Sequence, residues 1–164
     1  MIIIRTLKKT DEKQLLNLAI NFFKKEQGGK IISKKLLPLI KFKNYDKHLR
    51  EDVKGYMKLD PKKAVIFVAE DKGKLIGFIH GRADLRPKKI LSRVGIIDDW
   101  FVEKEYRNKG IGEMLWIRLM KWFRSKKCNC LELDTFTTNK KVIKIYHKLG
   151  FVDKVVVMTR KFKS

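Results

Sequence analysis

A chain of 164 residues, 44% hydrophobic and 35% charged, suits a single domain spanning 1–164 that can bury a core without disulfide or metal staples. Its net charge of +22 invites a polyanion partner. The lysines, however, fall as scattered pairs such as Lys24-Lys25, Lys62-Lys63 and Lys126-Lys127, with no helix-turn-helix, zinc-finger or aromatic RNA-binding pattern, so no specific nucleic acid is expected. No apolar run is long enough for a signal peptide or a membrane span, and the expectation is a soluble, cytoplasmic protein with no membrane partner.

In chain order, residues 2–6 read as a first strand. Thr10-Asp11-Glu12 offers a cap and an acidic first turn for a helix over 10–25, with Leu15, Leu18, Ala19 and Phe22 on one face, and Gly28-Gly29 breaks it. Residues 31–60 carry a weaker pattern: Pro38 interrupts, 45–59 is helical, and Pro61 closes the segment. Apolar runs at 64–70 and 74–84, separated by Asp71-Lys-Gly-Lys, predict a hairpin. Strand signals recur at 93–102 and 130–136, helical ones at 113–126 and 139–149, and a final strand is expected over 152–161. The order is β-α-α-β-β-β-α-β-α-β, a mixed α/β domain. Cys128 and Cys130 read as two small apolar residues entering a strand. With His48, His80 and His147 scattered, no metal is expected.

The stretch with the most chemical content is Arg107-Asn108-Lys109-Gly110-Ile111-Gly112-Glu113. A buried strand ending in Trp100, Phe101 and Val102 feeds this turn, and the turn opens a helix marked by Leu115, Leu119, Trp122 and Phe123. Such a turn points unpaired backbone N–H groups and the positive end of the helix dipole at one place, which makes it an anion site suited to phosphate. Gly110 can adopt a backbone angle other residues avoid, and Gly112 leaves room for a phosphate to touch the main chain.

A second constellation follows a short strand: Asn139, Tyr146, Gly150 and Phe151. Together the two segments resemble the GNAT superfamily of N-acetyltransferases. Its Arg/Gln-x-x-Gly-x-Gly/Ala signature matches at Arg107, Gly110 and Gly112, and its later Asn…Tyr…Gly-Phe segment matches at Asn139, Tyr146, Gly150 and Phe151. The resemblance is strong from Asp98 to Phe151 and weaker elsewhere. It implies a mostly antiparallel central sheet flanked by helices, with acetyl-CoA as donor and an amine as acceptor. The oligomeric state, monomer or homodimer, is open.

The resemblance also implies roles. The turn from Arg107 to Glu113 would hold the diphosphate of coenzyme A, and the strand edge at Trp100, Phe101 and Val102 would receive the pantetheine arm. The Val102 N–H would face the thioester oxygen, and Asn139 would contact the cofactor. Tyr146 stands in the place of the general acid for the departing thiolate; a phenol is protonated at neutral pH. Asp98 matches the usual position of the base, where glutamate is commoner, so its shorter side chain favours a water relay. Asp99, Glu70, His80 and Asp84 are alternatives. On a regular strand Asp98 and Asp99 point to opposite faces, so only one would see the acceptor. Gly150-Phe151 reads as a left-handed helix cap with a ring folded back. The acceptor is left among a protein N-terminus or lysine, a polyamine or other small amine, and an amino-acid-like metabolite. The rival reading is a non-catalytic acyl-CoA sensor or a basic nucleic-acid-associated module on the same fold.

Overall fold

Runs rich in valine, isoleucine and phenylalanine form strands that pair in the order they occur along the chain. In the computed structural model, which describes residues 1–22, 32, 34–40 and 43–162, five strands make one sheet in sequence order. They are β1 (Ile2–Thr6), β2 (Ala64–Asp71), β3 (Lys74–Leu85), β4 (Arg93–Val102) and β5 (Cys130–Leu133). The first four pair antiparallel; β5 is parallel to β4, as a strand must be when a helix carries the chain back across the sheet. The helices are α1 (Glu12–Ile20), α2 (Leu37–Ile40), α3 (Tyr45–Tyr56), α4 (Ile111–Ser125) and α5 (Lys140–Lys148). The β2–β3 hairpin turns at Lys72 (φ 48°) and Gly73 (φ 80°), the paired positive angles whose twist matches the flanking strands.

The sheet buries both faces. On one, Leu15 and Leu18 of α1 and Leu49 and Val53 of α3 pack on Val68, Phe78 and Phe101. On the other, Ile111, Leu115, Leu119 and Phe123 of α4 pack on Phe67, Ile79 and Ile97. These are the apolar positions that helical spacing singles out. α4 lies directly on the backbone of β3: a Cβ on Gly81 would stand 2.6 Å from Leu119 Cδ1 and 2.9 Å from Phe123 Cζ. Among the described residues no helix is long and apolar enough to cross a membrane.

Four expectations change. Thr10 does not cap α1; it falls in a short 3-10 turn (Lys9–Asp11), whose acidic residue is Asp11. That carboxylate is buried, accepts the Lys8 N–H at 2.8 Å and receives both terminal nitrogens of Arg5 at 2.6 and 2.9 Å, so it fastens β1 to the start of α1 instead of capping the helix. α1 ends at Ile20, Asn21 and Phe22 continue in a wider turn, and the expected break at Gly28-Gly29 lies outside the described residues. β5 stops at Leu133 because its ladder with β4 runs out there.

The expected final strand over 152–161 is also missing. This segment has strand propensity, yet among the described residues no backbone hydrogen bond ties it to the sheet. A strand needs a partner edge, and β5 offers four residues. The link that exists is an ion pair from Lys154 to Glu132.

Candidate active site

The ladder between β4 and β5 covers Val94 to Ile97 against Cys130 to Leu133 and no further. Past that point the two strands diverge, and the edge of β4 from Asp98 to Val102 has no strand beside it among the described residues. A cavity of about 1270 Å³ fills this opening. Asp98, Asp99, Trp100, Phe101 and Val102 form one wall. The turn before α4 forms the floor, and Asn139, Val142 and Tyr146 of the α5 region face them.

The floor is built by backbone conformation. After a 3-10 turn (Lys104–Tyr106), Asn108 (φ 60°) and Gly110 (φ 75°) both take left-handed angles, and α4 begins at Ile111. Asparagine and glycine are the residues that tolerate that region. The first turn of α4 therefore opens onto the cavity with its N–H groups unspent, and Arg107, Asn108, Gly110, Ile111, Gly112 and Glu113 all line it. Lys109 does not; its ammonium lies 5.3 Å from the Tyr106 ring centre. Arg107 Nε donates to the Val102 carbonyl at 2.9 Å, so its side chain pins the end of β4. The requirement for glycine is conformational at Gly110. At Gly112 a Cβ would meet the Trp100 indole at an ordinary 3.7 Å, so packing within the protein does not itself require glycine there.

Tyr146 belongs to a group of rings that joins β4, α4 and α5. Trp100 stacks on Trp116 at 5.4 Å and on Tyr146 at 6.3 Å, while Phe151 meets Tyr146 edge-on at 6.0 Å and Trp116 at 6.1 Å. Phe151 is held there by the helix end. Gly150 (φ 89°) donates to the His147 carbonyl and Phe151 N–H to the Tyr146 carbonyl, both at 3.0 Å, which is the expected left-handed cap with its ring folded back. Asn139 precedes α5 at the cap position but makes no side-chain cap; its Nδ2 donates to Thr135 Oγ1 at 3.4 Å. Burial first, and then the charge of Asp134, push the Tyr146 phenol above its ordinary pKa. Trp116, which braces this group, was not singled out in the sequence. Its helical position beside the apolar stripe gave no sign of a ring on β4.

At the other end of the cavity the strand is irregular. His80 pairs with Asp99 and Gly81 with Ile97, so Asp98 is an extra residue in a β-bulge. The expectation that only one of the two aspartates faces the site assumed a regular strand. With the bulge, both line the cavity and both approach the same His80 Nδ1, at 3.8 and 3.7 Å. Arg82 Nε donates to both oxygens of Asp98 at 3.1 and 3.0 Å, and the Tyr56 hydroxyl donates to Asp99 Oδ2 at 2.7 Å. Desolvation, followed by the charge of Asp99, carries the Tyr56 phenol far above its usual range. Glu70 and Asp84 do not line this cavity: Glu70 is ion-paired to Arg5 at 2.6 Å, and Asp84 to Arg82 at 2.9 Å. Arg82 and Tyr56 were missed in the sequence because their contacts span 16 and 43 residues.

A splayed β4–β5 pair with a left-handed glycine turn at its foot is a specific arrangement, and it agrees with a family model. The model of the acetyltransferase (GNAT) family matches residues 34–151. This chain is a member of the GNAT family. Among GNAT-related sequences, an uncharacterized N-acetyltransferase of Methanocaldococcus jannaschii is 31% identical over 91 residues, 56% of this chain and 40% of that protein. N-alpha-acetyltransferase 30 of Xenopus laevis is 34% identical over 86 residues, 52% of this chain and 31% of that protein. The chain thus spans less than half the length of these two curated relatives. The GNAT fold extends over the whole domain: the structure of the aminoglycoside N-acetyltransferase AAC(6')-Iy in complex with CoA matches with a TM-score of 0.72 at 22% identity, covering 98% of this chain and 95% of that one.

Proposed function

We propose that this chain is an acetyl-CoA-dependent N-acetyltransferase that moves an acetyl group to a primary amine by direct attack in a ternary complex. The observation that carries the reading is the layout of the cavity. An unpaired strand edge forms its wall and a helix N-terminus behind a left-handed glycine its floor, with a protonated phenol facing them and two carboxylates at the far end. A thioester with a polyphosphate tail, approached by an amine, needs those parts in that order.

In this reading the Arg107–Glu113 turn takes the diphosphate through backbone N–H groups. The β4 edge at Trp100 to Val102 receives the pantetheine arm as an added strand. Arg107 keeps that edge straight by holding the Val102 carbonyl. The Val102 N–H donates to the thioester oxygen as it becomes negative, an interaction that strengthens toward the transition state. Asn139, which lines the cavity at the start of α5, contacts the cofactor. Tyr146 gives its proton to the departing thiolate. The proton from the acceptor ammonium leaves through the carboxylate pair: Asp98, the expected base, has both oxygens engaged by Arg82 and orients the acceptor, while Asp99 stands beside it with the Tyr56 hydroxyl.

The test is mass-spectrometric transfer from acetyl-CoA into one pool of peptides, polyamines, amino acids and aminoglycosides; peptide α-amines and aminoglycosides are the acceptor classes that the names of relatives suggest. An acetylated amine supports the reading. Acetyl-CoA binding without any acetylated product overturns it and leaves the fold as an acyl-CoA-binding module.

A further inference from the structure

Beneath the two carboxylates lies a histidine with nothing to do in the fold. His80 is 7% exposed, and neither ring nitrogen has a hydrogen-bond partner among the described residues. Buried polar groups are almost always paired, so an imidazole left orphaned on both sides in the middle of a sheet calls for a reason. Its surroundings supply one. Nδ1 faces Asp98 Oδ2 at 3.8 Å and Asp99 Oδ2 at 3.7 Å, too long for hydrogen bonds but set between two acceptors. From α3, the Tyr56 ring packs on the imidazole at 5.0 Å while its hydroxyl holds Asp99, and Asp52 stands one helical turn earlier on the same helix. From β3, Arg82 is committed to Asp98 and Asp84. The ring thus faces two carboxylates on its Nδ1 side, and the Arg82 guanidinium beside them is already paired. When the ring's own proton sits on Nε2, its Nδ1 lone pair faces the two carboxylates, and a proton arriving at Nδ1 becomes a donor set between them.

We infer that His80 is the store for the acceptor amine's proton, reached through Asp99. His80 does not touch the cavity, so it acts as a positioning and relay residue and not as a group in contact with substrate. The sequence of events balances. The acceptor ammonium gives one proton to Asp99 at the cavity wall, and Asp99 passes it to His80 Nδ1. The freed amine lone pair forms the C–N bond to the thioester carbonyl carbon, and the C–S bond breaks with its electrons on sulfur. Sulfur takes the proton of Tyr146, and the phenolate recovers a proton from the product nitrogen. The imidazolium releases its proton to solvent after product leaves. The bulge is what brings the second carboxylate to the ring: on a regular strand only Asp99, the residue paired with His80, would share its face. The inference rests on the transferase reading above.

The test compares two amines of similar size, ethylamine, which is protonated at neutral pH, and 2,2,2-trifluoroethylamine, which is largely the free base there. Only the first needs a proton removed before attack. In His80→Gln, kcat/KM for ethylamine at pH 7 is expected to fall roughly a hundredfold, and the acidic limb of its pH profile to move toward the amine's own titration. Trifluoroethylamine should be acetylated within about threefold of the wild-type rate, since removal of a proton store leaves transition-state stabilisation intact. Equal losses for both amines would mean that His80 is structural, and no loss for either would mean it has no part; each overturns the inference. His80→Asn, smaller and still polar near the Nδ1 position, carries the same comparison if His80→Gln does not fold. Failure of the wild-type protein to acetylate any amine, whether these two or the pool above, would overturn the transferase reading itself, and it would show before any substitution is made.

Discussion

At the scale of single residues, the site depends on side chains whose partners lie far away in sequence. Arg107 was legible as part of a phosphate turn, yet its side chain bonds the Val102 carbonyl, a contact that a one-dimensional motif does not encode. Tyr146 was legible by its place in the Asn…Tyr…Gly-Phe segment, but the stack of Trp100 and Trp116 that fixes its ring was not. Outside the site, the Arg5–Asp11 pair makes a prediction that depends on pH. Hydrogen bonds from Arg5 are the largest influence on Asp11 and hold its carboxyl below the ordinary range. Because the folded pKa is depressed, the pair stabilises the protein fully above the unfolded aspartate value of about 3.9, and that contribution drains away as the pH falls through the folded value. Asp11→Asn is therefore expected to cost about 2 kcal/mol at pH 7, with the gap from wild type narrowing toward pH 3. Urea unfolding at a series of pH values measures both.

At the scale of elements, periodicity located the hairpin, α4 and β4 because each buries a face of regular spacing, and burial of that face is what the pattern records. It failed where structure depends on a partner. The strand expected over 152–161 has the composition of a strand but only the four-residue edge of β5 to pair with, and the Asp98 bulge is a property of two strands in register. The tight seat of α4 on β3 gives this scale its prediction. Leu119 and Phe123 are fully buried and cannot retreat from a new methyl group, so Gly81→Ala should destabilise the fold by about 2 kcal/mol through overpacking. For a chain of this size that corresponds to a melting point lower by roughly 4–8 °C. A thermal melt within a degree of wild type would show that the helix can shift on the sheet.

At the scale of the whole molecule, composition announced a strongly cationic surface without naming its use. The fold adds a use that requires no dedicated nucleic-acid motif. The cavity opens on a protein of net charge +22, and the proposed donor carries several phosphate charges, so the field would draw it inward. The Debye length shrinks from about 10 Å at 0.1 M salt to about 3 Å at 1 M, so added salt should lower kcat/KM for acetyl-CoA several-fold while kcat at saturation holds nearly constant. A flat salt response in steady-state kinetics would show that capture depends on local contacts alone. The acceptor could not be read from the sequence because the residues that its least patterned stretch contributes to the cavity, Phe22, Leu36 and Ile40, are apolar and of no distinctive spacing.

The central claim is that one cavity both holds acetyl-CoA and transfers its acetyl group, with Tyr146 acting only on the leaving thiolate. The measurement that addresses it most directly pairs acetyl-CoA affinity by calorimetry with turnover for Tyr146→Phe against wild type. The account predicts an affinity within about twofold and a turnover at least tenfold lower, a barrier increase of about 1.4 kcal/mol. Unchanged turnover, or a lost affinity that accounts for the whole effect, would contradict it.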